Sequence, residues 1–219
     1  MLKGIIFDMD GTLVDSLKYH FLAFDEYARR QGFTLREPVT VKFSGRHSNE
    51  IFPAILGDEI VAEYGLERLN REKEEVYREM YRPNIKPIDG VIEFLQAAKA
   101  AGLKCAIGSA GCRENVEFII EALGIADLID GSVSGSDVTH GKPHPEIFTK
   151  AHQLLGLSAE ECIVAEDATN GILAGIAAGC KCIGITTTES AEDLSKAGAS
   201  ICIKDYTSLR VEQLQALLQ

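Results

Sequence analysis

Residues 4–12 read Gly-Ile-Ile-Phe-Asp-Met-Asp-Gly-Thr, and this stretch decides the fold. A short run of apolar residues ends at Asp8, and a turn with Asp10, Gly11 and Thr12 follows at once. That is the pattern of a buried strand, Gly4–Asp8, closing in a polar loop. Five similar runs follow: Leu103–Gly108, Gly131–Ser134, Cys162–Ala165, Lys181–Ile185 and Ser200–Lys204. Each is short, apolar and bounded by glycine or charge. Between and after them lie helical stretches at Gly90–Ala101, Arg113–Leu123, Pro145–Leu155, Ala168–Ala178, Ala191–Ala197 and Ser208–Leu218. Strand–helix alternation of this kind predicts an α/β fold, a Rossmann-like parallel sheet with helices on both faces.

Residues 16–83 break the rhythm. They read as helix throughout, over Leu17–Gln31, Ser48–Leu56, Asp58–Tyr64 and Glu67–Tyr81, with no convincing strand. The expected organisation is therefore an α/β core of residues 1–15 and 84–219 with an inserted helical block of residues 16–83. The hinges fall at Val14–Leu17 and Pro83–Pro87.

Composition narrows the partners. The 219 residues carry 22 Lys+Arg against 33 Asp+Glu, a formal charge of −11. An acidic chain lacks the basic face that nucleic acid or an anionic membrane needs. No apolar run is long enough to span a bilayer, and the N-terminus meets acids too early for a signal peptide. Cys105, Cys162, Cys182 and Cys202 sit in apolar runs, as reduced core cysteines do. The expectation is a cytoplasmic protein. Its oligomeric state is open, and a monomer is compatible with everything above.

In open parallel sheets, reactive groups gather beyond the C-terminal ends of the strands. Those ends carry Asp8 and Asp10, then Ser109-Ala110-Gly111, then Lys142-Pro143 in a loop, then Glu166-Asp167. Clustered carboxylates repel one another and lose solvation, a cost that a hard divalent cation relieves. Mg²⁺ is the expected cofactor. Lys142 adds a fixed positive charge, while Ser109 and the amides of residues 109–111 can donate to phosphate oxygens. A carboxylate in such a site can attack phosphorus and form an aspartyl phosphate. Asp10 can protonate the leaving oxygen and then deprotonate water. Taken singly, each residue has a plainer reading: Asp8 and Asp10 as turn formers, Ser109 as a helix cap, Lys142 as a solvated charge.

Together, Asp8-x-Asp10-Gly-Thr, Ser109, Lys142-Pro143 and Glu166-Asp167 resemble the four ordered motifs of the haloacid dehalogenase superfamily. The likeness spans nearly the whole chain, with the helical block where that superfamily carries a small cap. Within it, the chain is similar to the β-phosphoglucomutase and small-cap phosphatase group. The resemblance implies Asp8 as nucleophile, Asp10 as general acid/base, and Ser109 and Lys142 as phosphate binders. It also implies Asp8, Asp167, Glu166 and the Asp10 carbonyl around Mg²⁺, with Glu166 either a direct ligand or one step removed. A dehalogenase would lack the second aspartate, so Asp10 points to phosphoryl transfer.

Substrate choice is expected from the cap. Candidate residues there are His20, the loop with Gly45, Arg46 and Ser48, and Lys73; Arg113, Asn115 and Ala110 are candidates on the core. His20 and Lys73 fall where the mutase-like proteins place a histidine and a lysine. Those mutases carry an arginine three residues after the cap glycine. Here Ser48 occupies that position, and Arg46 is the alternative. The expected function is a Mg²⁺-dependent phosphohydrolase of a small phosphorylated metabolite, a sugar phosphate first. β-Phosphoglucomutase is the alternative. A non-catalytic phospho-acceptor domain or sugar-phosphate sensor is more remote, because receivers lack an inserted helical block and dead sensors lose an aspartate that is present here.

Three other patterns fall short of a site. Gly135 to Lys142 misses phosphate-loop spacing by one residue. His140 and His144 are four apart, but Gly141 and Pro143 deny the helix that would aim both at one zinc. Cys180-x-Cys182 has no companion pair.

Overall fold

Gly4–Phe7 forms β1, with every residue buried, and runs up the middle of the sheet. The remaining strands are β2 (Lys104–Gly108), β3 (Gly131–Val133), β4 (Cys162–Glu166), β5 (Lys181–Ile185) and β6 (Ile201–Ile203). The helices are α1 (Leu17–Gln31), α2 (Ser48–Leu56), α3 (Asp58–Tyr64), α4 (Leu66–Tyr81), α5 (Val91–Ala100), α6 (Arg113–Leu123), α7 (Glu146–Leu154), α8 (Thr169–Ala177), α9 (Ala191–Ala197) and α10 (Val211–Leu217). This computed structural model describes residues 1–40 and 48–218.

All strand pairs are parallel, and their order is β3-β2-β1-β4-β5-β6. The protein is thus α/β with a Rossmann-like sheet. Successive strands step away from β1 first on one side and then on the other. The connection reverses direction beside β1, the place where open parallel sheets generally form their binding crevice. Phe7 stands level with Ile107 of β2 and Ala165 of β4, so the residues just beyond these three share one rim.

The helices of this unit bury one face each. In α5 the buried set is Val91, Phe94, Leu95 and Ala98, spaced as one helical stripe. Phe148 and Ile147 of α7 pack with Ile6, Ala106 and Val164 of the sheet. Gly124 ends α6 in the left-handed conformation (φ 63°), where a side chain would be strained.

The chain divides into two units, Met1–Asp15 with Lys86–Gln219, and Ser16–Ile85. Among the described residues the second unit is helical. Its α4 buries Leu69, Val76, Tyr77 and Tyr81, and α1 buries Phe24, Tyr27 and Ala28. Phe24 and Tyr27 meet the Phe52 ring of α2 edge-on, at 5.2 and 6.3 Å between centroids.

Sequence boundaries shift by a residue or more. β4 runs on through Glu166, β6 is shorter than Ser200–Lys204, and α10 begins at Val211. The first two are edge effects of ladder pairing: Glu166 still pairs with Gly184, while β6 is the edge strand and pairs only over Ile201–Ile203.

Candidate active site

The Asp8 amide continues the ladder one residue beyond β1, donating to Ala165 O at 2.9 Å. The chain then folds into a tight turn, with Leu13 N donating to Met9 O at 2.8 Å and Gly11 N to Val14 O at 2.7 Å. Met9, fully buried, stands between the two acids, and the charge of Asp10 acts on Asp8. Gly11 has φ 85°, and a β-carbon there would stand 2.0 Å from Asp167 Oδ2. Only glycine fits.

Lys142 ties the site together. Its Nζ donates to Asp8 Oδ1 at 2.5 Å and to Glu166 Oε1 at 2.7 Å, and lies 4.6 Å from the centre of the Phe148 ring. Glu166 Oε2 accepts from the amides of Asp167 and Ala168, both at 2.9 Å. The Glu166 carboxylate therefore already serves three donors. Space for it comes from Gly171 of α8, where a β-carbon would fall 1.7 Å from Oε1. Asp167 accepts from Thr12 Oγ1 at 3.4 Å.

The electrostatics follow from burial. Desolvation pushes the Asp8 carboxyl up to about 7; Lys142 opposes this, while Glu166 and Asp10 add to it. Asp167 is raised well above its ordinary value by burial, then by Glu166 and Asp8. Burial by itself would lower the Lys142 ammonium, yet the charges of Asp8 and Glu166 hold it above its ordinary value. Asp8, Glu166 and Asp167 each offer an oxygen within 4.8 Å of the others. Three acids against one lysine is an uncompensated, oxygen-only set, which fits a hard divalent cation.

Ser109 lies beside them at the end of β2. Its amide is spent on Val133 O (3.0 Å), and its Oγ accepts from Gly111 N (3.0 Å). Of the three amides expected to face an anion, two are thus engaged internally. The exposed Ala110 amide remains, with the Ser109 hydroxyl proton. The loop also precedes α6 without forming its first turn. Asn115 is fully buried under it, its Cβ 3.8 Å from where a β-carbon on Gly111 would be.

The sequence matches the haloacid dehalogenase-like hydrolase family over residues 5–185, from β1 to the end of β5. The chain belongs to that family. This haloacid dehalogenase-like enzyme is 32% identical over 212 residues to the validoxylamine A 7'-phosphate phosphatase of Streptomyces hygroscopicus subsp. limoneus, covering 96% of this chain and 97% of that one. It is 28% identical to the β-phosphoglucomutase of Bacillus subtilis (strain 168), covering 97% and 94%. A crystal structure of a family IA, variant 3 hydrolase from Entamoeba histolytica superposes with a TM-score of 0.88 at 28% identity, over 99% of both chains. The haloacid dehalogenase-like fold is thus shared from end to end, and the protein is a phosphatase-type enzyme of this family.

The remaining sequence candidates are placed less uniformly. Arg113 is ion-paired to Asp137, which also accepts from the Ser134 amide and hydroxyl. In the helical unit, His20 stacks on Tyr77 with centroids 3.8 Å apart, and its Nδ1 stands 3.8 Å from Glu74 Oε2. Lys73 is only 2% exposed, paired to Glu74 and 4.6 Å from the Phe24 ring centre. Glu74 joins both candidates and carried no signal in the sequence beyond its place next to Lys73. Gly45, Arg46 and the Ser48 side chain lie outside the described residues. Among the described residues, no helix is long and apolar enough to cross a membrane.

Proposed function

We propose that this haloacid dehalogenase-like enzyme is a Mg²⁺-dependent phosphohydrolase of small phosphorylated metabolites, sugar phosphates in first place. The observation that carries this reading is Lys142 bridging Asp8 and Glu166 beside Asp167 at the switch in strand order. The names of the relatives support it, since one is a phosphatase and the other a sugar-phosphate mutase.

Asp8, Asp167 and the Asp10 carbonyl would hold Mg²⁺, and Glu166, engaged with Lys142 and two amides, would act one step removed. Bound there, Mg²⁺ supplies charge neutralisation for the carboxylates and the phosphoryl oxygens. Lys142 orients Asp8 through Oδ1 and adds a positive charge beside the transferring group. The Ser109 hydroxyl and Ala110 amide donate to phosphoryl oxygens. Asp8 attacks phosphorus, the bond from phosphorus to the ester oxygen breaks, and Asp10 gives its proton to the departing alkoxide. Asp10, now a carboxylate, takes a proton from the water that attacks the aspartyl phosphate. Inorganic phosphate leaves and Asp8 is restored.

The helical unit, with His20, Lys73, Gly45, Arg46 and Ser48, acts as the cap that chooses the substrate. Asn115 supports the Ser109–Gly111 loop from beneath, and Arg113, paired with Asp137, is the core-side candidate for contacting substrate. Six free cysteines, four of them buried, are in keeping with a reducing cytoplasm. Purified protein with Mg²⁺ should release phosphate from some members of a broad phosphometabolite panel, and Asp10→Ala should abolish the release. No release from any member refutes the reading. β-Phosphoglucomutase is the second reading, favoured by the Bacillus subtilis relative. Glucose 6-phosphate forming from β-glucose 1-phosphate faster than free phosphate would select it.

A further inference from the structure

The turn that delivers Lys142 gathers a second set of ligating groups on its outer side. His144 N donates to Gly141 O at 3.0 Å, which folds residues 141–144 back on themselves. The imidazoles of His140 and His144 are thereby brought to 4.5 Å between centroids. No helix is needed for this: a turn achieves the convergence that the glycine and proline between them denied to a helix. Glu146, opening α7, completes the group, and the ligand atoms of all three residues lie within 4.8 Å of one another.

We propose that His140, His144 and Glu146 form a metal site for a borderline divalent ion, Zn²⁺ or Ni²⁺, separate from the carboxylate set. Imidazole nitrogens with one carboxylate suit these ions, whereas Mg²⁺ takes oxygen. Two ligands on one zinc stand about 3.3 Å apart. His140 Nδ1 is already 3.2 Å from Glu146 Oε2, and the His144 Nδ1 lone pair, which accepts from the Glu146 amide at 3.3 Å, would turn from that amide to the ion. The ion replaces the proton shared by His140 and Glu146. The carboxylate is held for the task by the amides of Thr139 and His140 and by Lys150 Nζ on Oε1, 2.7 Å away. The His140 side chain is 63% exposed, so an ion can enter from solvent and waters can complete its shell. Bound there, the ion staples together the two ends of the turn whose apex is Lys142.

The test is Zn²⁺ titration by calorimetry, with histidine ring-proton NMR, on wild type, His140→Gln, His144→Gln and Asp167→Asn. Both histidines are exposed, so each single variant should keep the wild-type melting temperature. The expected result is a site weakened at least about tenfold in each histidine variant and retained in Asp167→Asn. Zn²⁺ should shift the ring signals of His140 and His144, and should raise the melting temperature of Asp167→Asn but not of Asp167→Asn combined with His144→Gln. Histidine variants that bind as wild type, or binding that vanishes in Asp167→Asn alone, would overturn the proposal.

Discussion

Replacing Gly171 with alanine adds one methyl group in the first turn of α8, where alanine is the better helix former by at most about 1 kcal/mol. The structure reverses that sign. The new β-carbon would stand 1.7 Å from Glu166 Oε1 and 1.8 Å from its carboxyl carbon, so the carboxylate must leave its place. Two amide bonds to it are at stake, each about 1.5–3 kcal/mol for a charged acceptor. So is one half of the buried Lys142 bridge, whose rupture costs about 3–5 kcal/mol. Rotation of Glu166 can restore the lysine bridge and one amide bond, which leaves the other amide bond and about 1 kcal/mol for an off-rotamer side chain as the loss. A net loss of about 2–4 kcal/mol results, a fall of about 4–16 °C in melting temperature at this chain length. Phosphate release should drop about a hundredfold, because the Lys142 bridge would follow the rotated carboxylate. The assay is a double-mutant cycle by thermal or urea melts with Glu166→Ala. In that background the methyl group has nothing to strike and should be neutral or stabilising. A Gly171→Ala protein as stable and active as wild type would refute the reasoning. So would equal destabilisation in both backgrounds, because the clash would then not be with Glu166.

Lys142→Met keeps the contact with the Phe148 ring but leaves Asp8 and Glu166 facing each other uncompensated. Urea melts should show a loss of about 3–5 kcal/mol, with phosphate release abolished. Gly11→Ala combines a forbidden φ with a β-carbon 2.0 Å from Asp167 Oδ2. It should weaken Mg²⁺ dependence of activity at least about tenfold before it unfolds the chain, read as the Mg²⁺ concentration for half-maximal rate. In EDTA, the Asp8 carboxyl, raised from its ordinary 3.8 to about 7, binds its proton more tightly folded than unfolded. Its contribution to stability is therefore full below pH 4 and declines as pH rises towards 7. Melts should show that slope in wild type and lose it in Asp8→Asn; a slope of the opposite sign in the difference between the two proteins refutes the assignment.

The fold and the set of acids are legible in sequence because both are local. Gly4–Phe7, Lys104–Gly108 and Cys162–Glu166 are short apolar runs whose polar successors mark the strand ends, and parallel pairing then forces those ends onto one rim. What each acid does is not local. Glu166 and Gly171 are five residues apart across a strand-to-helix turn, and nothing in their types says that one makes room for the other. Thr12 reaches Asp167 from 155 positions away. The amides at 109 and 111 look available in sequence because a loop before a helix usually exposes them; the ladder to Val133 and the Ser109 hydroxyl use them up. The histidine pair is hidden for a related reason. Spacing of four suggests a helix, which Gly141 and Pro143 deny, yet a turn closed by Gly141 O brings the same two rings together.

On the proposed function, the charge of the site bears on how a chain of net charge −11 would receive a phosphate. Asp8, Glu166 and Asp167 are buried with Lys142 as the counterion that bridges two of them, which leaves an excess of about two negative charges in a low-dielectric pocket. Without a cation that excess is relieved only by protonation, which is why burial and mutual repulsion raise Asp8 and Asp167 together. A divalent ion held by these carboxylates would bring the set to neutrality, and a phosphomonoester dianion would then meet no net repulsion there. On the proposed reading its own charge would then be met by the Ser109 hydroxyl and the Ala110 amide, neutral donors that cost no further counter-charge. Metal and substrate should accordingly bind in that order of dependence: phosphate affinity should vanish in EDTA, while Mg²⁺ should bind without phosphate. Removing one carboxylate should uncouple the two. Asp167→Asn should bind inorganic phosphate without Mg²⁺ more tightly than wild type does, measured by calorimetry in EDTA. Equal or weaker binding there would show that repulsion by the acid cluster is not what makes the ion necessary.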